Sequence, residues 1–158
     1  MTPTTTSPFA IVTGASSGIG YELARQFAEH GFDLLVVAED EGISSAAARL
    51  GSVDGRFVES LRADLATYEG NEKVCERARS IGRPVDAIAI NAGVGVWGRF
   101  ADTDLAAHMN LINLNVVSPV HLTQRLLKDM LARGAGRILY TSSIAGVMPG
   151  PFEATYNA

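Results

Sequence analysis

Short apolar runs alternate with longer amphipathic stretches along the whole chain. The apolar runs predict strands and the stretches between them predict helices. The predicted strands are 10–13, 34–38, 56–60, 85–90 and 137–141, and the predicted helices are one that ends near 30 and three over 43–50, 67–81 and 104–132. Strict alternation of strand and helix predicts a parallel sheet with right-handed crossovers and helices on both faces.

Polar and small residues follow every predicted strand. Because ligands bind beyond the carboxyl ends of the strands in such sheets, we expect these residues to converge on one site. They are Gly14–Gly20, Ala38 and Glu39, Asp64 and Leu65, Asn91–Gly93, and Ser142 with Ser143. This arrangement predicts a dinucleotide-binding α/β domain.

The stretch Thr13-Gly14-Ala15-Ser16-Ser17-Gly18-Ile19-Gly20 joins the first strand to the first helix. Glycines allow positive φ and let a pyrophosphate approach the backbone, while the helix N-terminus favours an anion. A P-loop is excluded because Tyr21 and Glu22, rather than Lys and Ser or Thr, follow the last glycine. An ordinary tight turn without a ligand is the remaining alternative.

Composition narrows the class of protein. A length of 158 residues with 47% apolar and 19% charged residues fits one globular domain over 9–158, preceded by a disordered leader over 1–8. The net charge of −4 argues against a nucleic-acid partner, and no apolar run is long enough to predict a membrane partner. Cys75 is the single cysteine, so we expect no internal disulfide and a cytoplasmic location. The three histidines do not show metal-ligand spacing.

The glycine pattern of Thr13–Gly20, together with Asp64, Asn91-Ala92-Gly93, Asn115, Ser143 and Tyr156, resembles the short-chain dehydrogenases/reductases. Ser143 and Tyr156 are thirteen residues apart, as in the catalytic pair of that family. The resemblance implies a Rossmann-type doubly wound parallel sheet. It also implies an NAD(P)-dependent oxidoreductase that transfers hydride between nicotinamide and a carbonyl or alcohol substrate.

The same resemblance implies three catalytic residues. Tyr156 would exchange a proton with the substrate oxygen, Ser143 would hydrogen-bond that oxygen, and Asn115 would hold a water in a proton relay. Independent support for Asn115 comes from Pro119, which has no N–H to give to the carbonyl four residues earlier, so the long helix should kink there. Asn113 is the competing candidate, without this pairing.

The remaining implied contacts are with the cofactor. Asp64 would meet the adenine edge with Leu65 beneath the ring, and Asn91-Ala92-Gly93 matches the small-residue segment of the family except that Ile90 precedes it. Ala38 and Glu39 occupy the positions that face the ribose. Because Glu39 is followed by Asp40 and Glu41, which would repel a 2′-phosphate, we favour NAD over NADP.

The chain ends at Ala158, two positions before the lysine of the family's Tyr-x-x-x-Lys pattern. We therefore expect a C-terminally truncated sheet of about five strands, with an exposed edge that favours a homo-oligomer. Without the lysine, a tyrosine of pKa ~10 is ionised in only about one molecule in a thousand near neutral pH, so we expect little activity from this chain alone. A nucleotide-binding module or a fragment without catalysis is the alternative.

The segment 147–152 should form an apolar wall of the substrate pocket.

Overall fold

The computed structural model describes residues 7–52 and 55–158. Residues 1–6 of the expected leader therefore lie outside the described residues. Ser7 and Pro8 are held by the fold: the Arg56 guanidinium donates to the Ser7 hydroxyl (3.2 Å), and the Asp33 N–H donates to the Pro8 carbonyl (2.8 Å). The last two residues of the expected leader over 1–8, Ser7 and Pro8, thus contact the fold.

The described chain contains five strands and six α-helices, with at least one helix between successive strands, which confirms the predicted α/β class. The elements are β1 Phe9–Thr13, α1 Gly18–Glu29, β2 Asp33–Ala38, α2 Gly42–Gly51, β3 Val58–Arg62, α3 Tyr68–Ser80, β4 Ala87–Ile90, α4 Leu105–Ile112, α5 Ser118–Arg133, β5 Arg137–Tyr140 and α6 Ala154–Asn157.

The strands form one parallel sheet in the order β3-β2-β1-β4-β5. The chain builds outward from β1 to β2 and β3, then crosses to the other side of β1 to add β4 and β5. The order therefore reverses between β1 and β4. A crevice opens at such a switch point because the helices that follow the two strands lie on opposite faces.

Alternating residues of the strands supply two cores, one on each face. Ile11, Leu35 and Ile88 pack with residues of α3 and α5, whereas Val12, Val36 and Ala89 pack with residues of α1 and α2. Every residue of β1 is buried. This is the pattern of a strand covered on both sides, as the continuous apolar run of β2 predicts.

Two predicted elements differ from the structure. β3 lies two residues later than predicted, because Leu34 pairs with Val58 and Ala38 with Arg62. The single helix predicted over 104–132 is divided by a π-helical turn, Asn113–Val117, in which the Ser118 N–H bonds to the carbonyl of Asn113, five residues back. The turn precedes Pro119, where a kink was expected, so the proline does interrupt the regular pattern.

β5 is a terminal strand of the described sheet, and much of its surface is open. Leu139 and Tyr140 are 41% and 51% exposed, and Leu131 on the neighbouring α5 is 71% exposed. The predicted open edge is therefore present in the structure. Among the described residues, no helix combines the length and the apolar character that crossing a membrane requires.

Candidate functional site

A glycine-rich turn joins β1 to α1 and leaves the start of the helix open. Gly14 and Gly18 have φ values of +67° and +56°, in the left-handed region that favours glycine. A Cβ on Gly20 would lie 2.1 Å from the carbonyl oxygen of Gly14, so a side chain cannot be placed there. The side chain of Ser17 makes no capping hydrogen bond within the described chain. The N–H groups of the first helical turn are therefore left for an anion.

Thr13, the last residue of β1, fixes the segment that follows β4. Its buried hydroxyl oxygen accepts hydrogen bonds from the backbone N–H groups of Asn91 (2.9 Å) and Ala92 (3.1 Å). The Asn91 side-chain amide donates to the Thr13 carbonyl (3.3 Å), and its oxygen accepts from the Thr141 hydroxyl (2.9 Å). Asn91 thus bridges the ends of three strands. These roles of Thr13 and Thr141 were not predicted from the sequence, where the only signal is a threonine at each strand end.

Asn115 lies in the π-helical turn and faces the loop after β4. Its Oδ1 accepts from the backbone N–H of Val94 (3.0 Å), and its Nδ2 donates to the Val94 carbonyl (2.8 Å). A Cβ on Gly93 would lie only 3.3 Å from the same Oδ1, so the small residue allows this close approach. The side chain of Asn115 therefore anchors the loop, and its position at the site comes from the π-helical turn.

Ser143 and Tyr156 lie on two short elements beyond β5. Ser143 precedes a single 3₁₀ turn, Ile144–Gly146, and its Oγ accepts the N–H of Ala145 (3.2 Å). Tyr156 lies in α6, with its ring centroid 6.3 Å from that of Trp97. Because the Ser143 oxygen acts as acceptor in the cap, its hydroxyl hydrogen remains as a donor toward the site.

The structure brings Asn115, Ser143 and Tyr156 to one cleft of about 640 Å³ at the carboxyl edge of the sheet. The competing candidate Asn113 does not line it. Apolar side chains from β4, α4 and the π-helical turn form part of the wall. Of the predicted cofactor residues, six line this cleft: Gly14, Ser17, Ile19, Asn91, Ala92 and Gly93.

A smaller cavity of about 140 Å³ continues the site on the other side of the glycine turn. Gly14, Ala92 and Gly93 line both spaces, so the two are contiguous. Five more of the predicted cofactor residues line the smaller cavity: Ser16, Ala38, Glu39, Asp64 and Leu65. Gly18 and Gly20 line neither space and act through the shape of the turn.

Local hydrogen bonds hold two carboxylates of the smaller cavity, those of Asp40 and Asp64. The Ser16 hydroxyl and then the Gly42 N–H hold the pKa of Asp40 below its usual range. Asp64 accepts the N–H of Ala66 at 2.9 Å through Oδ1. Leu65 is only 3% exposed and belongs to the core, so it presents little surface to a ligand.

The segment 147–152 does not form the expected wall, because the cleft lining ends at Gly146 and resumes at Thr155. The Gly98 N–H donates to the Phe152 carbonyl (2.8 Å), and the Trp97 indole donates to the Glu153 carboxylate. These contacts hold the segment against the loop after β4, outside the cleft. Val147 and Phe152 are consequently exposed.

The chain is similar to characterised and uncharacterised oxidoreductases. An uncharacterized oxidoreductase of Bacillus subtilis, YmfI, is 34% identical over 150 residues, which cover 94% of this chain and 61% of that protein. Human 17-beta-hydroxysteroid dehydrogenase type 1 is 34% identical over 154 residues, which cover 94% of this chain and 46% of that enzyme. The chain thus spans about half to three fifths of these relatives.

A solved structure shows the same fold. L-sorbose reductase from Gluconobacter frateurii, complexed with NADPH and L-sorbose, matches with a TM-score of 0.90 and 33% identity over 96% of this chain and 58% of that enzyme. The family model for short chain dehydrogenase matches residues 8–158, which include both cavities and the three residues of the cleft. The chain therefore belongs to the short-chain dehydrogenase family.

Proposed function

We propose that the two contiguous cavities bind NAD(H) or NADP(H), and that the whole protein transfers hydride between nicotinamide and a carbonyl or alcohol carbon. The observation that carries this proposal is that Asn115, Ser143 and Tyr156 line one cleft, which joins a second cavity at the glycine turn. Family membership supports the same reaction class.

The shape of the site fits a dinucleotide. The smaller cavity lies at the ends of β2 and β3, where the adenosine half would bind, and the larger cleft would receive nicotinamide and substrate. Between them, the open N-terminus of α1 and the glycine backbone suit a pyrophosphate. A Cβ on Gly14 would lie 2.9 Å from the Cα of Ala92, so a larger residue here would clash with the backbone between the two cavities.

When bound, the nicotinamide supplies or accepts the hydride. The phenol of Tyr156 then donates a proton to the substrate oxygen in reduction and accepts it in oxidation. The free hydroxyl hydrogen of Ser143 bonds the same oxygen and stabilises the negative charge that develops on it. Both side chains line the cleft, as this mechanism requires.

In the proposed reaction, Asn115 acts through its backbone carbonyl rather than through its side-chain amide. Both polar atoms of that amide are bonded to the backbone of Val94. Pro119 cannot donate to the carbonyl of Asn115, so we propose that this carbonyl holds the water of a proton relay. The amide meanwhile fixes the loop that borders the cleft.

Within this proposal we favour NAD(H) as the cofactor. The similar L-sorbose reductase was solved with NADPH, so family membership does not decide between the two cofactors. Glu39 lines the smaller cavity at the end of β2, where its carboxylate suits ribose hydroxyls and repels a 2′-phosphate.

The substrate we propose is a small molecule whose carbonyl or alcohol group is attached to an apolar body. Leu111, Val116 and Tyr140 contribute apolar surface to the cleft. These three side chains, rather than the segment 147–152 that was expected to form the apolar wall, would therefore contact the substrate. We further propose a reducing compartment, the cytoplasm, because Cys75 is the single cysteine of the sequence and no internal disulfide can form.

We also propose self-association through the exposed apolar side chains of β5 and α5. Leu127, Leu131 and Leu139 are 37%, 71% and 41% exposed. Exposed apolar surface beside an open sheet edge favours association. Sedimentation equilibrium of this chain should reveal a dimer or larger species, whereas a monomer at every concentration would contradict the proposal.

The test of the reaction uses the whole protein and Tyr156→Phe. We expect the wild type to oxidise NADH in the presence of ketones with apolar bodies, and the variant to lose at least about a hundredfold in rate because its proton donor is gone. Cofactor affinity should change little, since the variant keeps the ring. A variant with wild-type turnover would contradict the role of Tyr156. Saturable NADH binding by a wild type that transfers no hydride would indicate a binding module instead.

A further inference from the structure

Arg62, at the end of β3, lies beside the acidic end of β2. The register of the sheet pairs Arg62 with Ala38, so the arginine is next to the strand end that lines the smaller cavity, where we place the adenosine half. Its Nε donates to the carbonyl oxygen of Glu39 at 2.7 Å. Its Nη1 donates to Oε1 of Glu41 at 2.9 Å and forms an ion pair. The guanidinium of Arg62 thus lies beside the acidic residues that follow β2.

The three carboxylates at this end of β2 have different partners. The carboxylate of Asp40 is occupied by local hydrogen bonds, including one from the Gly42 N–H at 2.9 Å. The carboxylate of Glu41 is paired with Arg62. Within residues 7–52 and 55–158, the Glu39 carboxylate has no hydrogen-bond or ion-pair partner, and Glu39 lines the cavity. Of these three carboxylates in the described chain, that of Glu39 is therefore the one left free for a ligand.

A second cation lies on the other side of Arg62. The Lys73 ammonium donates to the Arg62 carbonyl at 2.7 Å. Both side chains line a third cavity of about 480 Å³, and Glu39 and Asp64 line both this cavity and the smaller adenosine cavity. If Arg62 were released from Glu41, its guanidinium and the nearby ammonium would present positive charge to a group attached at the ribose.

We propose that Glu41 is a positioning residue for cofactor selectivity, because it holds Arg62 away from a 2′-phosphate and leaves Glu39 to recognise free ribose hydroxyls. The inference rests on the proposed function and names the residues that set its cofactor preference. The side chains of Arg62 and Glu41 are 60% and 87% exposed. Since ion pairs this exposed are weak, the change in selectivity on removing Glu41 should be modest.

The test compares 5′-AMP with adenosine 2′,5′-bisphosphate, which differ only by the 2′-phosphate, by calorimetric titration of this chain. The wild type should bind 5′-AMP at least as tightly as the bisphosphate. Glu41→Gln should raise the affinity for the bisphosphate relative to 5′-AMP by about fivefold, because a freed guanidinium forms charge-assisted bonds to phosphate. Glu41→Asp, which keeps the carboxylate, should return the ratio toward the wild-type value.

Two controls separate this effect from a general change in charge. Glu41→Gln with Arg62→Gln should lose the gain, because the cation itself is removed. Asp102→Asn removes one negative charge from another exposed ion pair, Arg99–Asp102, and should leave the ratio unchanged.

The outcomes distinguish the two proposals. If the nucleotides bind but Glu41→Gln leaves their ratio unchanged, or if the double variant keeps the gain, Glu41 and Arg62 do not set selectivity. If a folded chain binds neither nucleotide in any variant, the proposed function itself is contradicted, and this inference with it.

Discussion

The side-chain amide of Asn115 pairs with both backbone groups of Val94: it accepts the N–H at 3.0 Å and donates to the carbonyl at 2.8 Å. One side chain in the π-helical turn therefore holds the loop after β4 in register with the cleft. The pairing explains why an amide is needed at position 115, since the carboxylate of Asp has no hydrogen to donate to the Val94 carbonyl.

Asn115→Asp should lower the affinity for NADH, because a carboxylate would repel the Val94 carbonyl and displace the loop that lines the cleft. Asn115→Gln keeps both polar groups on a longer side chain and should lose less affinity for NADH than Asn115→Asp does. Calorimetric titration of both variants measures the difference. Equal, wild-type affinity in both would show that the loop does not depend on this amide.

Thr13→Val should destabilise the fold although the two side chains have nearly the same shape. The hydroxyl of the fully buried Thr13 accepts two backbone N–H groups, and a methyl group leaves both without that acceptor. Leaving buried donors unsatisfied costs about 1–3 kcal/mol. Urea unfolding measures this cost, with Thr13→Ser as the matched control that keeps the hydroxyl. A valine variant as stable as the wild type would contradict the network.

Gly18→Ala should impair NADH binding more than it impairs stability. Gly18 and Gly82 both have positive φ and open space where a Cβ would lie, so alanine should cost each a similar, roughly 1 kcal/mol of strain. Only Gly18 lies in the turn that we assign to the pyrophosphate. Thermal unfolding and NADH titration of Gly18→Ala and Gly82→Ala separate the two effects. Equal NADH affinity in the two variants would remove Gly18 from the site.

Glu72 should make stability depend on pH in the acid range. His121 and then Arg125 hydrogen-bond its carboxylate, at 2.5 Å and 2.7 Å, and hold its pKa below the ordinary value of 4.5. Because the folded-state pKa is lowered, the stabilisation is complete above about pH 4.5 and is lost as pH falls through the folded-state pKa.

The Glu72→Gln variant tests this dependence. It should unfold at lower urea concentration than the wild type near neutral pH, and the gap should narrow as the pH falls below about 4. Glu76→Gln, a change of the same kind at an exposed position of the same helix, serves as the control. A gap that stays constant with pH would contradict the pairing.

The sequence predicted the fold well because its signals are local. Apolar runs, glycine turns and their alternation specify a doubly wound parallel sheet without knowledge of long-range contacts. Pro119 likewise marked the interruption of the long helix. The π-helical form of that interruption was not predicted, because it also depends on how Asn115 packs against the loop of Val94.

Contacts between distant parts of the chain could not be predicted from the sequence. The Thr13 hydroxyl bonds an N–H that lies 78 residues away, and nothing near Thr13 indicates this partner. Arg62 changes the charge beside Glu39 through a contact across 23 residues, which counting acids along the sequence could not show. The position of segment 147–152 depends in the same way on its contact with Gly98.

The most direct test of the central claim is a titration of this chain with NADH, followed by energy transfer from Trp97, its single tryptophan. Trp97 lies beside Tyr156 at the cleft, so a reduced nicotinamide bound there should quench its emission. We predict saturable quenching that Gly18→Ala weakens while the variant keeps its helical circular dichroism, since a Cβ on Gly18 meets open space. A folded wild-type chain that shows no saturable quenching, or a variant that quenches as well as the wild type, would contradict the assignment of this cleft as the dinucleotide site.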